Sequence, residues 1–349
     1  MRAAVYRGSH DIAVLDVPEP PCPPGQVKIQ VAHNGICGSD LHEYFAGPIF
    51  CPVEPHPLTG AQLPLTLGHE FAGRVVEVGD GVRAASVGDR VAVEALYRCD
   101  ECPACRMGNY NTCRQIGFHG LMSDGGMAER TVVPERMVHV LPDSVSDELG
   151  ALVEPMAVAY HAAKLGDVPP GGSAVVFGAG PVGIGLWFAL RGLGIDDITV
   201  VEPAPARRAA LRGLGAQHVI DPAETDPAEH VQQHTGGRGA DAVYDAAGAQ
   251  AAVESGLSCL GTRKPMVSVA IYEHPFPVTL LKLVMSEALV RGSLAYTAED
   301  YRAVIDLMAR GHYDTTGWVS HIPIGQVVDE GFDALRAGRK MKVLVDPAG

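Results

Sequence analysis

Residues 173–202 read SAVVFGAGPVGIGLWFALRGLGIDDITVVE and decide the fold of the second half of the chain. A β-branched run precedes a glycine-rich turn, a helix-length apolar stretch and another β-branched run, an order that predicts a β-α-β unit. Strand patterns recur at 218–220, 240–248 and 264–271, with helical patterns between them, and 288–296 is expected to be the last strand. We therefore predict an α/β domain built on a doubly wound parallel sheet.

The turn in this unit, GAGPVG, has the G-x-G-x-x-G spacing of loops that bind dinucleotides. Gly178 would allow the tight turn, Gly180 would let a pyrophosphate approach the backbone, and Gly183 would let the helix pack closely on the strand. Pro181 and Val182 begin the helix, whose free N–H groups favour phosphate. A glycine turn without a ligand is the alternative, but strand, turn and helix follow the order that binding requires.

The second β-branched run ends in Glu202, nineteen residues after Gly183. A carboxylate at this distance accepts hydrogen bonds from the ribose hydroxyls and repels a 2′-phosphate. The sequence therefore favours NAD over NADP. Arg207 is also a candidate cofactor-binding residue. Arg207 and Arg208 lie close enough in sequence to keep NADP open as the alternative.

Residues 1–150 have a different character, with short β-like runs such as QVKIQVAHNG and GDRVAVEA separated by Gly and Pro. They predict an all-β, barrel-like domain whose loops carry polar side chains. The net charge of −14 disfavours nucleic acid and anionic membranes as partners. The sequence has neither an apolar run of the ~20 residues that a membrane span needs nor the apolar core of a signal peptide. We therefore expect a cytoplasmic location.

Four cysteines, with spacings of two, two and seven residues, occur in the run CDECPACRMGNYNTC. Cys99, Cys102, Cys105 and Cys113 can together close a tetrahedron of thiolates around one Zn²⁺. Such a site has no open position for a substrate. The sequence therefore predicts a structural zinc here, and any zinc chemistry requires a second site.

Candidates for that second site come from the segments GICGSDLHEY and LGHEFAGRVVEVG. Cys37, His69 and Glu70 supply a thiolate, an imidazole and a carboxylate, a plausible ligand set with an open position. Taken singly, Cys37 and His69 would more often be buried core residues, but their motifs together favour ligation. Glu154, in ALVEPMAVAYHA, is a further carboxylate candidate, and an ordinary helix-start carboxylate is its alternative.

The motifs CGSDLH, GHEFAG, the cysteine lobe, EPMAV and GAGPVG occur in an order that resembles zinc-dependent medium-chain alcohol dehydrogenases. The resemblance covers essentially the whole chain and points to the polyol branch of the family. The long segment HEYFAGPIFCPVEPHPLTGAQLPLTLGHEF, residues 42–71, is similar to that of (R,R)-2,3-butanediol dehydrogenases. Typical polyol and threonine dehydrogenases are shorter at this point.

The resemblance implies a GroES-like β-barrel catalytic domain at 1–157 and 297–349, with both zinc sites. It implies a Rossmann NAD-binding domain at 158–296. The family forms homodimers or homotetramers through edge strands of the cofactor domain, so we expect one of these assemblies.

The resemblance also assigns the ligands of the catalytic zinc. Cys37 and His69 would be the invariant ligands, with Glu70 and Glu154 as candidates for the remaining places. One carboxylate would ligate the metal directly while the other holds the bound water, and the sequence leaves open which does which.

A proton relay follows from the same comparison. Ser39 would accept the proton of the substrate hydroxyl, and His42 would pass it to solvent through the nicotinamide ribose. Asp40 would orient a metal ligand. Lys342 matches a family position near the cofactor phosphates, and a surface lysine is its alternative.

The implied activity is hydride transfer between NAD and a vicinal diol or hydroxyketone, with 2,3-butanediol and acetoin as the expected pair and diacetyl reduction as a further reaction. A sorbitol- or threonine-type dehydrogenase is the alternative within the family. Glu43 stands where sorbitol dehydrogenases carry an aromatic residue, which argues against a sorbitol-type contact. His119 stands where small-diol relatives are apolar, so it would either contact the substrate or face solvent. A zinc-free quinone reductase or an inactive structural protein does not account for the zinc and relay motifs.

Overall fold

The computed structural model describes residues 1–349, which divide into two compact units. The first unit, called the catalytic unit, comprises residues 1–154, 297–311 and 319–349. The second, called the nucleotide unit, comprises residues 155–296 and 312–318.

These limits differ from the expected domain limits at two places, residues 155–157 and 312–318. The latter segment belongs to the nucleotide unit, where the ring of Tyr313 packs 4.9 Å from that of Phe188.

Eighteen strands make up the sheets. They are β1 (Arg2–Gly8), β2 (Asp11–Asp16), β3 (Gln26–Gly35), β4 (Leu65–Thr66), β5 (Glu70–Val78), β6 (Arg90–Val93), β7 (Leu96–Tyr97), β8 (Gly117–Phe118), β9 (Arg130–Pro134), β10 (Val138–Val140), β11 (Ser173–Phe177), β12 (Asp197–Val201), β13 (His218–Ile220), β14 (Ala242–Asp245), β15 (Pro265–Ser268), β16 (Leu289–Gly292), β17 (Val319–Pro323) and β18 (Lys342–Asp346).

The α-helices are α1 (Gly38–Ala46), α2 (Pro103–Arg106), α3 (Asp147–Leu165), α4 (Pro181–Gly192), α5 (Pro205–Gly213), α6 (Pro227–His234), α7 (Gln250–Cys259), α8 (Leu280–Ser286), α9 (Ala298–Ala309) and α10 (Asp333–Arg336). Short 3₁₀ turns lie at Tyr110–Thr112, Glu135–Met137 and Ile324–Gln326, and a π-helical turn at Val327–Phe332 leads into α10. Judged by length and hydropathy, none of the helices could cross a lipid bilayer.

The catalytic unit is built around a sheet in the order β10-β6-β5-β3-β18-β17, with β9 also paired to β3. β3 is antiparallel to β5, β9 and β18, so it lies at the centre of the sheet. Its apolar residues Val27, Ile29 and Val31 alternate along the strand and face one buried cluster. One face of the sheet is therefore buried, and the unit is the β-rich domain that the sequence predicted.

The nucleotide unit has six parallel strands in the order β13-β12-β11-β14-β15-β16. The order reverses between β11 and β14, which is the arrangement of a doubly wound dinucleotide-binding sheet. Val175, Phe177, Val201, Val243 and Met266 lie in its apolar core. The predicted Rossmann fold is confirmed, and β13 and β16 form its two edges.

Candidate active site and metal centres

The four cysteines of the lobe converge as their spacing predicted. The Sγ atoms lie 4.0 Å apart for Cys99 and Cys105, 3.6 Å for Cys102 and Cys105, and 3.5 Å for Cys99 and Cys113. A zinc tetrahedron with Zn–S bonds near 2.3 Å places its sulfurs about 3.8 Å apart. The four thiols therefore fit a closed zinc site without rearrangement of the backbone.

Backbone N–H groups stabilise negative charge on these sulfurs. The N–H of Cys102 donates to Cys99 Sγ at 3.4 Å, and that of Gln115 donates to Cys113 Sγ at 3.4 Å. The backbone N–H groups of Arg114 and then Cys105 lower the pKa of the Cys102 thiol to about 6. Thiolate is the form that binds metal, so Cys102 is prepared for zinc, whereas burial, followed by the Cys102 thiol, raises the pKa of Cys105 to about 12.

Tyr110 attaches the lobe to the rest of the catalytic unit. Its hydroxyl donates to Glu94 at 2.7 Å and accepts from the backbone N–H of Ala298, the first residue of α9. The Arg98 guanidinium lies 3.9 Å above the Tyr110 ring, and Glu94 also contacts His139 Nε2 at 3.1 Å. Burial, followed by the Glu94 charge, raises the pKa of Tyr110 and keeps its hydroxyl protonated as a donor.

The second predicted metal group is also assembled. Ligand atoms of Cys37, His69 and Glu70 all lie within 4.8 Å of one another. Cys37 directly precedes α1, and His69 and Glu70 lie where β5 begins. His69 and Glu70 are almost fully buried, which suits a site that must hold an ion away from bulk water.

Asp40 lies beside two residues of this site, Cys37 and His69. Its Oδ2 accepts the backbone N–H of Cys37 at 2.9 Å and so caps α1, while its Oδ1 lies 3.6 Å from His69 Nδ1. Burial raises the pKa of Asp40 to about 6, and the nearby His69 opposes that rise. A carboxylate on one ring nitrogen orients an imidazole for metal binding through the other. At 3.6 Å the two atoms are too far apart for a hydrogen bond and neither has another partner, so the orienting role given to Asp40 stays a prediction.

The charges around His69 favour a cation. Burial alone would lower the pKa of the imidazole, but Asp40, Cys37 and Glu154 together raise it well above its usual value. The same negative field would stabilise a divalent metal ion that displaced the proton. The residues present therefore fit a zinc ion.

Ser39 lies at the other nitrogen of the same ring. Its Oγ is 3.2 Å from His69 Nε2, and its side chain is buried. His42 follows three residues later on α1, so both residues share one face of the helix. The placement is compatible with the predicted relay, in which Ser39 would take the substrate proton and His42 would carry it onward.

Besides lying in the group with Cys37 and His69, Glu70 forms an ion pair that the sequence did not predict. The Lys342 ammonium donates to Glu70 Oε2 and, at 3.0 Å, to the carbonyl of Ile36. Lys342 is 2% exposed, so the alternative of a surface lysine is wrong. Gly35 leaves room for this pair, because a Cβ there would lie 2.1 Å from Glu70 Oε2. The expected contact of Lys342 with the cofactor phosphates stays a prediction.

Glu154 is the last catalytic-unit residue within α3 and is 4% exposed. Its carboxylate is not part of the three-residue group around Cys37, yet its charge contributes to the raised pKa of His69. Glu154 therefore remains a second carboxylate candidate beside Glu70.

His119 neither faces solvent nor carries a charge, so one of its two predicted placements is wrong. It is 1% exposed, its Nε2 bonds Thr131 Oγ1 at 2.9 Å, and its Nδ1 bonds Tyr97 at 3.0 Å and Ser123 at 3.1 Å. Burial, followed by the His69 charge, lowers its pKa to about 3. Both ring nitrogens are already used within the catalytic unit.

The glycine-rich turn of the nucleotide unit has the predicted geometry. Gly178 has φ +99°, a conformation that favours glycine. At Gly183 a Cβ would lie 2.0 Å from the carbonyl oxygen of Gly178, so any larger residue would push α4 off the turn. Gly180 caps α4 and Pro181 occupies its first turn, which leaves the helix N-terminus open to phosphate.

Glu202 lies beside this turn and is 3% exposed. Its Oε2 accepts the N–H of Ala179 at 2.7 Å and its Oε1 that of Ala204 at 2.8 Å. Arg208 is held by Asp221 at 2.8 Å, whereas Arg207 is 41% exposed and lies 3.9 Å from Glu202. Of the two arginines, Arg207 is therefore the more accessible to a bound nucleotide.

Glu43 is a structural anchor that sequence reasoning missed. Its carboxylate is fully buried and accepts the backbone N–H groups of Ile49 at 3.0 Å, Cys51 at 3.1 Å and Phe50. Burial, followed by the Glu43 charge, raises the pKa of Tyr6, whose hydroxyl donates to the Glu43 carbonyl at 2.7 Å. Glu43 therefore holds the loop at residues 49–51 in place. The sequence showed only that Glu43 stands where sorbitol dehydrogenases have an aromatic residue.

Two family models and several known proteins match this chain. Residues 23–143 match the family model of the alcohol dehydrogenase GroES-like domain, and residues 181–310 match that of the zinc-binding dehydrogenases. The chain is 39% identical to the (R,R)-butanediol dehydrogenase of Bacillus subtilis, over 99% of this chain and 100% of that protein. It is 36% identical to the (R,R)-butanediol dehydrogenase of Neisseria gonorrhoeae, over 99% of both chains.

Solved structures show the same similarity in three dimensions. The crystal structure of 2R,3R-butanediol dehydrogenase from Bacillus subtilis superimposes with a TM-score of 0.93 at 39% identity. The match covers 99% of each chain.

Proposed function

The chain belongs to the zinc-binding alcohol dehydrogenase family, and from that premise we propose that it transfers hydride between NAD and a vicinal diol or hydroxyketone. The pair we assign is 2,3-butanediol and acetoin, with diacetyl reduction as a further reaction. Similarity to butanediol dehydrogenases over the full length supports this substrate class.

The observation that carries the reaction type is the buried hydroxyl beside a metal-ligand nitrogen. Ser39 Oγ lies 3.2 Å from His69 Nε2, within the group that includes Cys37 and Glu70. A hydroxyl group at this position can exchange a proton with an alcohol that binds at the metal site.

When bound, zinc lowers the pKa of an alcohol and NAD⁺ accepts the hydride. Cys37 and His69 would hold the zinc, with Glu70 and Glu154 as the carboxylates beside it. Asp40, whose Oδ1 lies 3.6 Å from His69 Nδ1, would orient the His69 ring. These residues thus form the part of the site that holds and orients the metal.

The proton and the cofactor are handled by other residues. Ser39 Oγ would take the hydroxyl proton, and His42 would carry it toward solvent along the same face of α1. The open turn at Gly178 and the carboxylate of Glu202 support NAD as the cofactor.

A substrate survey tests this proposal. NAD⁺ reduction is followed with each butanediol stereoisomer, sorbitol and threonine, and the reverse reaction with acetoin and diacetyl. We expect kcat/KM to be highest for one butanediol stereoisomer. A Cys37→Ser variant should bind NADH yet lose turnover, whereas Cys22→Ser, a thiol outside both metal groups, should keep it.

Two results would contradict the proposal. A higher kcat/KM for sorbitol or threonine would move the substrate to the other branch of the family. Unchanged turnover in Cys37→Ser would remove the catalytic metal from the reaction.

We also propose that the chain forms a homodimer, or a tetramer built from such dimers, through the β16 edge of the nucleotide unit. One side of β16 has no partner strand, and its residues Leu289 and Val290 are more than half exposed. Leu281, Val284 and Met285 on α8 are also exposed. An apolar edge strand is suited to a second copy that continues the sheet.

The proposed location is the cytoplasm. All eight cysteines are unpaired, and the four in the lobe lie at zinc-site distances from one another. A reducing compartment keeps such thiols available as metal ligands.

A further inference from the structure

Three histidines and an aspartate form a cluster on the nucleotide unit that the proposed reaction does not use. Asp197 is the first residue of β12 and His218 is the first residue of β13. His230 and His234 lie on α6. The four residues come from three elements, β12, β13 and α6, which the fold brings together.

Pairing of the strands and the pitch of the helix produce the cluster. β12 and β13 are parallel with Thr199 opposite His218, which places Asp197 beside the start of the edge strand. His230 and His234 are four residues apart and therefore share one face of α6. Their rings stack at an interplanar angle of 3° with centroids 6.1 Å apart.

The side chains are close enough for one ion to bind them in place of the hydrogen bond between His234 and Asp197. One ligand atom each from Asp197, His218 and His234 lies within 4.8 Å of the other two. His234 Nε2 is 2.8 Å from Asp197 Oδ1, and the His218 and His234 ring centroids are 4.9 Å apart. Two imidazoles and a carboxylate around one point match the donor set of Zn²⁺ and similar transition metals.

His230 gives the cluster a further donor. Its Nε2 is buried and has no hydrogen-bond partner, and its ring centroid lies 6.4 Å from that of His218. Buried polar atoms are normally satisfied, so an unsatisfied ring nitrogen beside three potential ligands suggests a bound ion. His230 lies outside the three-residue group and is the candidate for a fourth ligand.

The cluster is separate from the dinucleotide turn. Asp197 lies at the amino end of β12, whereas Glu202 follows its carboxyl end. The five intervening steps along an extended strand span about 16 Å at ~3.3 Å per residue. The glycine turn at Gly178 also lies at the carboxyl end of the sheet, where nucleotides bind. A metal at the cluster would therefore not contact the cofactor phosphates.

We propose that Asp197, His218 and His234, with His230 as the fourth ligand, form an additional site for Zn²⁺. The ion would connect β12, the edge strand β13 and α6. Since these ligands come together only in the folded unit, metal binding would stabilise the nucleotide unit and not supply catalysis.

Metal counting tests the site. The wild-type chain and a His218→Ala, His234→Ala double variant are dialysed against the same buffered Zn²⁺, and zinc is measured by mass spectrometry. We expect the wild type to hold one zinc more per chain than the double variant. His274→Ala, which removes an exposed histidine outside the cluster, should match the wild type.

Thermal unfolding provides the second readout. Added Zn²⁺ should raise the unfolding midpoint of the wild type and of His274→Ala by more than that of the double variant, which keeps the cysteine lobe and the Cys37 group but lacks the cluster. Circular dichroism and NADH binding establish that the double variant is folded, and a single His234→Asn variant replaces it if it is not. Equal zinc content in wild type and folded variant, or an equal shift in midpoint, would overturn the proposal.

Discussion

At the scale of single residues, Gly35 decides where the carboxylate of Glu70 can lie. The two residues are opposite each other in β3 and β5, and β18 pairs with β3 on its other side at Leu344. Lys342 lies on β18 two residues before Leu344, and its side chain crosses β3 to bind Glu70 on β5. A buried carboxylate beside a metal group is costly unless it is paired, and Lys342 supplies the charge.

We predict that Gly35→Ala disturbs the metal group. Its Cβ would lie 2.1 Å from Glu70 Oε2 and 3.1 Å from Lys342 Cε, so the ion pair must shift. Loss of such an outer contact typically costs roughly 10–100-fold in metal affinity or activity. The measurements are zinc content and kcat/KM. Gly213→Ala, whose Cβ would meet open space, is the control, and full activity in Gly35→Ala would refute the steric argument.

We predict that Glu202→Gln shifts cofactor preference toward NADP. The amide keeps an acceptor for the Ala179 N–H but loses the charge that repels a 2′-phosphate, while Arg207 remains nearby. Hydrogen bonds to charged groups contribute about 1.5–3 kcal/mol, so a change of tenfold or more in the kcat/KM ratio is expected. Steady-state kinetics with both nucleotides measure it, and exposed Glu224→Gln serves as the control. An unchanged ratio would mean that Glu202 does not contact the ribose.

At the scale of elements, the cysteine lobe at residues 99–113 contains little secondary structure. It holds only the one-turn helix α2 and a 3₁₀ turn, and hydrogen bonds of Tyr110 tie it to Glu94 and α9. So little secondary structure cannot bury enough apolar surface to fold by itself. A metal ion bound to the four thiolates would supply the missing stability.

We predict that Cys105→Ser removes the lobe metal without removing hydride chemistry. Zinc content should fall by one per chain, and a loss of about 2 kcal/mol would lower the Tm by about 4–8 °C. Activity per folded chain below that temperature should stay close to the wild-type value, because Cys37 and His69 are untouched. Cys22→Ser should alter neither quantity, and complete loss of turnover in folded Cys105→Ser would contradict the separation of the two sites.

At the scale of the whole molecule, the exposed apolar surface on β16 and α8 is the surface through which we propose that the chain self-associates. We predict that Leu281→Glu combined with Val284→Glu yields monomers. Burial of one Leu contributes about 1.5–3 kcal/mol, so the double change should weaken self-association well over tenfold. Sedimentation velocity measures the assembly, with Val87→Glu, an exposed apolar position of the catalytic unit, as control. If the double variant stays dimeric, the interface lies elsewhere.

Local patterns in the sequence determined much of this molecule. The glycine turn, the strand order along the nucleotide unit and the four cysteines depend on spacings of a few residues, and each is present in the structure. Cys37, His69 and Glu70 also come together as predicted, because β3 and β5 pair and each motif directly adjoins one of them. The spacing of the four cysteines also predicts a closed zinc site apart from the group at Cys37, and the structure places the two groups separately.

Only the tertiary structure decided which side chains meet over long separations. Lys342 lies on Glu70 because β18, near the end of the chain, joins β3 in the register that sets Leu344 opposite Gly35. His119 is buried because the fold brings Tyr97 and Thr131 to its two ring nitrogens. The cluster at His218 likewise forms only because the edge strand β13 lies beside α6. Short spacings constrain the backbone directly, whereas these contacts depend on sheet register and packing, which no local pattern specifies.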